Sequence, residues 1–308
     1  MPQNNILIIK LGALGDMIQA LGPMKAIRRH HPDSRITVLT TKPFADLIRA
    51  SGVADDIWID PRPKWHQIHK WFDLSHQLNT GNFARVYDLQ NNDRSALYFR
   101  LFKNKPEWVG VAKGASHRNT SPTRTAGQAF DGHVQTLALA DIHDIAIDRM
   151  EWMDHDIEHF GARAPYVLIV PGSSPKRPEK RWPAASYGAL CNALSARGIQ
   201  PVLIGTKDEA NVMKEISALC PSALDLSGKT ALFDIVPLAR RASGALGNDT
   251  GPMHMIAPTG CPSVILFSRF SNPVRHAPKG DALHVMQSPD LGALSVDDVL
   301  KNLSGVLR

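Results

Sequence analysis

The sequence predicts an α/β protein built from two open, parallel sheets, and two observations carry that prediction. Apolar segments rich in β-branched residues alternate with helical patterns from end to end, the signature of βαβ units. The alternation lapses once near the middle and then restarts, so the 308 residues fall into two halves, each close to the ~150-residue length expected of one domain.

In the first half, Asn5–Lys10 reads as a strand and Met17–Arg29 as a helix. Arg35–Thr40 and Ile57–Ile59 are further strands with a helix through Phe44–Ala50 between them, and Arg85–Leu89 is another. A basic helix around Ser95–Lys103 and a short strand at Trp108–Val111 follow. From Lys113 to Asp131 the chain is rich in Ser, Thr, Gly and Arg without an apolar period, which predicts a long surface loop. A helix through His133–Ala140 closes this half. The charged stretch Met150–Pro165 ends in Ala-Pro and marks the boundary, giving domains 1–160 and 161–308.

The second half restarts with a strand, Tyr166–Val170, and a glycine two residues beyond it. Ala184–Ala196, Glu209–Leu219 and Leu232–Arg241 read as helices, and a short helix starts at Gly251. Pro201–Ile204, Gly244–Gly247 and Ser263–Phe267 read as strands. In open α/β sheets ligands bind beyond the carboxyl ends of the strands, so the loops after Lys10, Val170, Ile204 and Gly247 are expected to hold the chemistry.

Composition excludes several classes. With 43% hydrophobic and 21% charged residues, the chain is neither disordered, collagen-like nor a coiled coil. The uncharged run Thr250–Ser268 is nearly long enough to span a bilayer, but three prolines, two glycines and His254 interrupt it. The apolar run Ile6–Ile9 is too short for a signal peptide, so a cytoplasmic location is expected. Cys191, Cys220 and Cys261 lie tens of residues apart and read as buried thiols. The net charge of +6 points to an acidic partner. Between Arg94 and Arg124 seven basic residues stand against the single acid Glu107, an excess as large as that of the whole chain.

Three apparent motifs fail on inspection. Ser227-Gly228-Lys229-Thr230 lacks the earlier P-loop glycine, since position 223 is Ala223. The Gly12-Ala13-Leu14-Gly15 turn would need a glycine where Lys10 stands to be a dinucleotide fingerprint. His155-Asp156-Ile157-Glu158-His159 matches a zinc-peptidase pattern in letters, but it lies in the charged boundary stretch rather than on an amphipathic helix. No metal site is expected.

Three loops do carry chemistry together. After the first strand, Lys10-Leu11-Gly12-Ala13-Leu14-Gly15-Asp16 is a two-glycine turn followed by a carboxylate at a helix start. After the first strand of the second half, Pro171–Pro183 brings Ser173, Ser174 and four cations before a helix, a set suited to a diphosphate. Gly247-Asn248-Asp249-Thr250-Gly251-Pro252-Met253-His254 places Gly251 and Pro252 at a helix start whose free N–H groups, with Thr250, make an anion site.

Those three segments, with Lys180-Arg181-Trp182-Pro183, Tyr87-Asp88-Leu89-Gln90, Arg94-Ser95 and Leu226–Thr230, resemble glycosyltransferase family 9, the ADP-heptose:lipopolysaccharide heptosyltransferases. The resemblance covers nearly the whole chain in order. It implies a GT-B fold of two Rossmann-like domains facing each other across a cleft, with acceptor on the first, nucleotide sugar on the second, and inversion at the anomeric carbon. Asp16 matches the family's general base, Lys180 its diphosphate-binding lysine, Ser173 a phosphate-binding hydroxyl, and Asp249, Thr250, Gly251 and His254 its donor-phosphate loop; Ser174, beside Ser173, is a further candidate for the donor. The loop bearing Asp208 and Glu209 is similar to the part that meets the nucleoside. Gly15, Arg94, Arg118 and Arg124 would contact the acidic acceptor. The family often has Thr where Ser173 stands and Ala in place of Pro258.

The expected reaction is transfer of a sugar, heptose by resemblance, from an ADP-sugar to a hydroxyl of a lipopolysaccharide core or lipid A acceptor. Asp16 removes the hydroxyl proton, while Lys180, Ser173, Thr250 and the helix at Gly251 stabilise the departing diphosphate. No obligatory metal need be invoked, which leaves room for stimulation by magnesium. The basic stretch would also touch the anionic inner face of the inner membrane, giving a peripheral location. Nucleic acid is not expected as a partner, because aromatic residues make up only 6% of the chain and no recognition motif occurs. The alternatives are another nucleotide sugar on the same fold, or a nucleotide-sugar binder without catalysis.

Overall fold

The computed structural model describes residues 4–173 and 178–308. The chain divides into two compact units, Met1–Asp148 and Arg149–Arg308. The segment 149–160, assigned to the first domain on its charge, thus lies in the second unit. Its own contacts explain this: Arg240 donates to the Arg149 carbonyl at 2.6 Å, Arg241 to Asp154 at 2.8 Å, and Trp152 meets the Phe233 ring edge-on at 6.4 Å.

The first unit runs β1 Asn5–Ile9, α1 Leu14–His30, β2 Ile36–Thr40, α2 Ala45–Ser51, β3 Asp56–Ile59 and α3 Ile68–Thr80. It continues through β4 Phe83–Asp88, α4 Asp93–Leu101, β5 Glu107–Gly110, β6 His117–Arg118 and α5 Ala129–Ala138. Its strands form one parallel sheet in the order β3-β2-β1-β4-β5-β6. The second unit runs β7 Tyr166–Val170, α6 Ala184–Ser195, β8 Gln200–Leu203, α7 Ala210–Leu219, β9 Leu224–Asp225 and α8 Ile235–Arg241. It ends with β10 Gly244–Asn248, α9 Gly251–Ile256, β11 Ser263–Ser268, α10 Pro273–His276, β12 Leu283–Ser288 and α11 Val296–Ser304. Its sheet is also parallel, ordered β12-β11-β10-β7-β8-β9. Counted from its own first strand this is the same order as in the first unit. Both are the doubly wound Rossmann arrangement, with the order reversing between β1 and β4 and again between β7 and β10.

The first strand of each sheet is a nearly continuous apolar run, as expected of parallel strands buried on both faces. Ile6 to Ile9 in β1 and all of β7 are buried, each fully buried Leu, Ile or Val contributing about 1.5–3 kcal/mol. In the first unit Trp108 is buried between Phe99 and Phe102, with ring centroids at 5.1 and 6.1 Å. In the second, Trp182 packs edge-on against Tyr187 at 4.9 Å. Helix α1 lies so close to the segment before Asp148 that a Cβ on Gly22 would come within 2.0 Å of the Ala146 carbonyl oxygen.

Three corrections concern elements. The expected loop Lys113–Asp131 contains β6, a 3-10 turn at Pro122–Thr125 and the first turn of α5. Helix α3 falls where no helix was expected, and the chain continues past Phe267 into α10, β12 and α11. No helix among the described residues is long and apolar enough to cross a membrane.

Candidate functional site

Each unit gathers its polar residues at the switch point of its sheet, where two neighbouring strands send their chains to opposite faces. In the first unit, β1 leads through Lys10 and Leu11 to Gly12. Gly12 has φ +113°, a region unfavourable to side chains, and a Cβ there would meet the Phe44 ring at 2.4 Å. Helix α1 then begins, with Asp16 exposed in its first turn, where the helix dipole favours a carboxylate. Gly15 sits in the same turn.

Behind Asp16 the site is buried and charged. Lys10 is 3% exposed and its ammonium donates to the Leu89 carbonyl at 3.1 Å, tying the end of β1 to the end of β4. Burial lowers the Lys10 pKa, and the carboxylates of Asp16 and Asp88 oppose that shift. Asp88 is fully buried and accepts from the backbone N–H groups of Gln90 and Asn91 at 3.0 and 2.9 Å. Desolvation nevertheless outweighs these bonds and the attraction of Lys10, and pushes the Asp88 carboxyl up to about 6.

This raised value sets a pH dependence. An unfolded aspartate titrates near ~3.9, so between about pH 4 and 6 the folded chain holds a proton on Asp88 that the unfolded chain has released. Stability from this group is therefore greatest below the unfolded pKa and is lost as pH rises through the folded one. Asp88→Asn keeps an acceptor oxygen and removes the titration. The urea midpoint of wild type relative to this variant is expected to shift in favour of wild type as pH falls from 7 to 4. Parallel midpoints across that range would show that Asp88 does not titrate there.

A separate basic cavity of about 640 Å³ lies beside α4, lined by Arg100, Lys113, Arg118 and Arg124 with Asp93 as its one acid. It takes up two of the three arginines expected to meet an acidic acceptor and adds Arg100 and Lys113. Arg94 points elsewhere, donating to the Pro63 carbonyl at 3.2 Å and lying over the Trp71 ring at 5.9 Å.

In the second unit the switch point lies between β7 and β10, and Asn248 organises it. This buried side chain accepts at Oδ1 from the Trp182 N–H at 3.1 Å and from the Tyr187 hydroxyl at 3.0 Å. Its Nδ2 donates to the Pro171 carbonyl at 2.7 Å. One amide thus fixes the loop after β7, the start of α6 and the end of β10. Next to it, the Lys180 ammonium meets Asp249 Oδ2 at 2.7 Å, with both side chains less than a fifth exposed. The Ser271 hydroxyl donates to the same carboxylate oxygen. Arg181 holds Ser173, donating from Nε to the hydroxyl at 3.1 Å and from the guanidinium to the carbonyl at 3.0 Å.

Thr250 is the residue before α9, in extended conformation without a side-chain capping bond, and Gly251 and Pro252 follow in the first turn. His254 is buried in α9. At the ends of β7 and β8, the Glu209 carboxylate fills the space a Cβ on Gly172 or Gly205 would need, 1.4 and 2.8 Å from the respective positions. Its Oε2 accepts from the Thr206 N–H at 2.7 Å. Asp208 is exposed on the adjacent 3-10 turn, so of the two acids expected near a nucleoside Glu209 is the one packed against the strand ends. Ser174 lies outside the described residues.

Sequence reasoning named Lys10, Asp88 and Asn248 only within motif segments, counted Arg181 as one of four cations, and missed Ser271. A signal existed for three of them: a polar residue ending an apolar strand, as Lys10, Asp88 and Asn248 each do, is costly to bury without partners. The histidines of the rejected zinc pattern go elsewhere. His155 bonds the Met153 carbonyl and Asp234, each at 2.8 Å, and the His159 ring lies 4.0 Å from that of Phe160. The cysteines are free and buried.

Two Rossmann units in succession, each with its polar residues at the switch point, define the GT-B fold class of glycosyltransferases. A family model described as glycosyltransferase family 9 (heptosyltransferase) matches residues 71–298, and the chain belongs to that family. It is 24% identical over 289 residues to the lipopolysaccharide core heptosyltransferase OpsX of Haemophilus influenzae, covering 89% of this chain and 81% of that protein. It is 23% identical to lipopolysaccharide heptosyltransferase 3 of Escherichia coli, covering 82% and 80%. Among solved structures, a family 9 glycosyl transferase from Veillonella parvula superposes with a TM-score of 0.83 at 20% identity, over 98% of this chain and 97% of the other. The E. coli ADP-heptose lps heptosyltransferase II gives 0.77 at 20% identity, over 98% of each. The protein is a glycosyltransferase.

Proposed function

We propose that the chain transfers a heptose from an ADP-sugar to a hydroxyl of a lipopolysaccharide core acceptor, with inversion at the anomeric carbon. The observation that carries this reading is the pairing of Lys180 with Asp249 at the switch point of the second unit. A partly buried ammonium beside a helix start suits a diphosphate leaving group. Ser173, Thr250 and the N–H groups opening α9 add donors, and Glu209 at the end of β8 stands where Rossmann folds hold a ribose hydroxyl.

Asp16 in the first unit serves as general base. A sugar hydroxyl is a weak nucleophile, and the carboxylate takes its proton as the new bond to the anomeric carbon forms and the bond to the diphosphate breaks. The basic cavity with Arg118 and Arg124 suits the acidic groups of a lipopolysaccharide core. Relatives named as lipopolysaccharide heptosyltransferases along most of their length support this choice of donor and acceptor. An acceptor anchored in lipid places the reaction at the inner face of the inner membrane.

Calorimetric titration with ADP, UDP and GDP tests the donor assignment. ADP is expected to bind at least about tenfold tighter than the other two, a difference of ~1.4 kcal/mol. Preference for UDP or GDP would replace the donor within the same enzyme class. Failure to bind any of the three would remove the reading.

A further inference from the structure

The most exposed large apolar side chains of the described residues lie together, and the proposed transfer does not use them. Trp65 is 87%, Phe72 71% and Ile68 63% exposed. Ile68 and Phe72 are four residues apart on the outer face of α3, and Trp65 lies in the loop leading into it. The opposite face is firmly seated. Leu74 and Leu78 are buried, Trp71 packs on the same core, and the Trp71 indole donates to the Lys64 carbonyl at 3.1 Å. Arg94 grips the loop through the Pro63 carbonyl. The apolar face is thus held outward by a well-anchored segment.

Its charges are predominantly of one sign. From Pro61 to Asp73 the chain carries Arg62, Lys64, Lys70, His66 and His69 against the single exposed carboxylate of Asp73. Helix α4 continues the pattern: Arg94 and Tyr98 face Trp71 of α3, while Leu97 and Arg100 line the basic cavity beyond. Clustered exposed apolar side chains mark an interaction surface. An apolar helix face flanked by cations, with a tryptophan beside it, complements the surface of an anionic bilayer, where rings and aliphatic groups enter the acyl boundary and ammonium and guanidinium groups meet phosphates.

We propose that the loop 61–67 and the outer face of α3 form a docking surface for a bilayer containing anionic phospholipid, with Trp65, Ile68 and Phe72 entering the interface and Arg62, Lys64 and Lys70 contacting headgroup phosphates. This gives the membrane contact of the proposed function a specific place, but it rests on the exposed residues alone. It would hold for any activity at such a surface.

Co-sedimentation of the full chain with vesicles of phosphatidylcholine, with and without about 30% phosphatidylglycerol, tests it without any acceptor present. Binding is expected to the anionic vesicles, weakened at high salt, and Ile68→Gln with Phe72→Gln is expected to reduce it about tenfold or more. Both positions are exposed and glutamine suits a helix, so the thermal midpoint and ADP binding of this double variant should match wild type. Lys64→Glu with Lys70→Glu should abolish the preference for anionic vesicles. Equal binding of wild type and the Ile68/Phe72 variant overturns the proposal, as does absence of binding to either vesicle. Self-association in sedimentation velocity that disappears in the same variant assigns the face to a second copy and also overturns it. Loss of ADP binding in wild type would count against the donor assignment and leave the vesicle result standing.

Discussion

Asp16→Asn is expected to lower kcat by about 10²–10⁴ while leaving ADP affinity within about twofold of wild type. The substitution preserves the shape of the side chain and its place in the first turn of α1. It removes only the capacity to accept a proton. Asp16 is exposed in the first turn of a 17-residue helix, and the Lys10 ammonium is buried nearby. Losing that charge leaves Lys10 with Asp88 as its remaining carboxylate partner, and a modest loss of stability accompanies the loss of turnover. A melting curve separates the two effects, because a folded, ADP-binding, inactive protein has lost chemistry rather than structure. Turnover within about threefold of wild type would sink the assignment of the base, since general base catalysis is worth far more.

The two doubly wound sheets were legible because the first strand of each is an apolar run followed by a glycine-bearing turn, Ile6–Ile9 before Gly12 and Tyr166–Val170 before Gly172. Helix α3 was not, because nothing marks its start: Gln67 precedes it without a side-chain capping bond. Its stripe was there to be read, Trp71, Leu74 and Leu78 recurring at helical spacing over the core with Ile68 and Phe72 exposed beside them. Strand β12 is an edge strand, mostly half-buried, whose alternation is weak. Helix α11 did carry a signal, Ser295 capping the N–H of Asp298 ahead of Val299, Leu300 and Leu303.

Among site residues, those with unusual local chemistry were visible: Asp16 after two glycines, and Asp249-Thr250-Gly251-Pro252 at a strand-to-helix turn. The joining of distant segments was not. Asn248 reaches Pro171, Trp182 and Tyr187, and Lys10 reaches Leu89, across 61 to 79 residues of sequence. These contacts exist only once the parallel sheet has brought the strand ends together.

Lys180→Ala is expected to weaken ADP binding by about tenfold to a hundredfold, corresponding to the ~1.5–3 kcal/mol of a hydrogen bond to a charged group. Two effects add with the same sign. The diphosphate loses a cation, and Asp249, 11% exposed, loses the ammonium that neutralises it. The Ser271 hydroxyl stays on Asp249 Oδ2 but supplies no charge, so an anion that was paired now faces the anionic ligand. The second effect can be isolated. Asp249→Asn in the Lys180→Ala background removes the carboxylate left without its cation and should restore several-fold of the lost affinity, whereas Asp249→Asn alone frees Lys180 and should weaken ADP little. A double-mutant cycle on calorimetric Kd values, with melting curves to confirm that each protein is folded, measures the coupling. If Lys180→Ala binds ADP as wild type does, the diphosphate site does not lie at this ion pair. If the double variant binds no better than Lys180→Ala, the carboxylate does not face the ligand and the lysine acts by its charge alone.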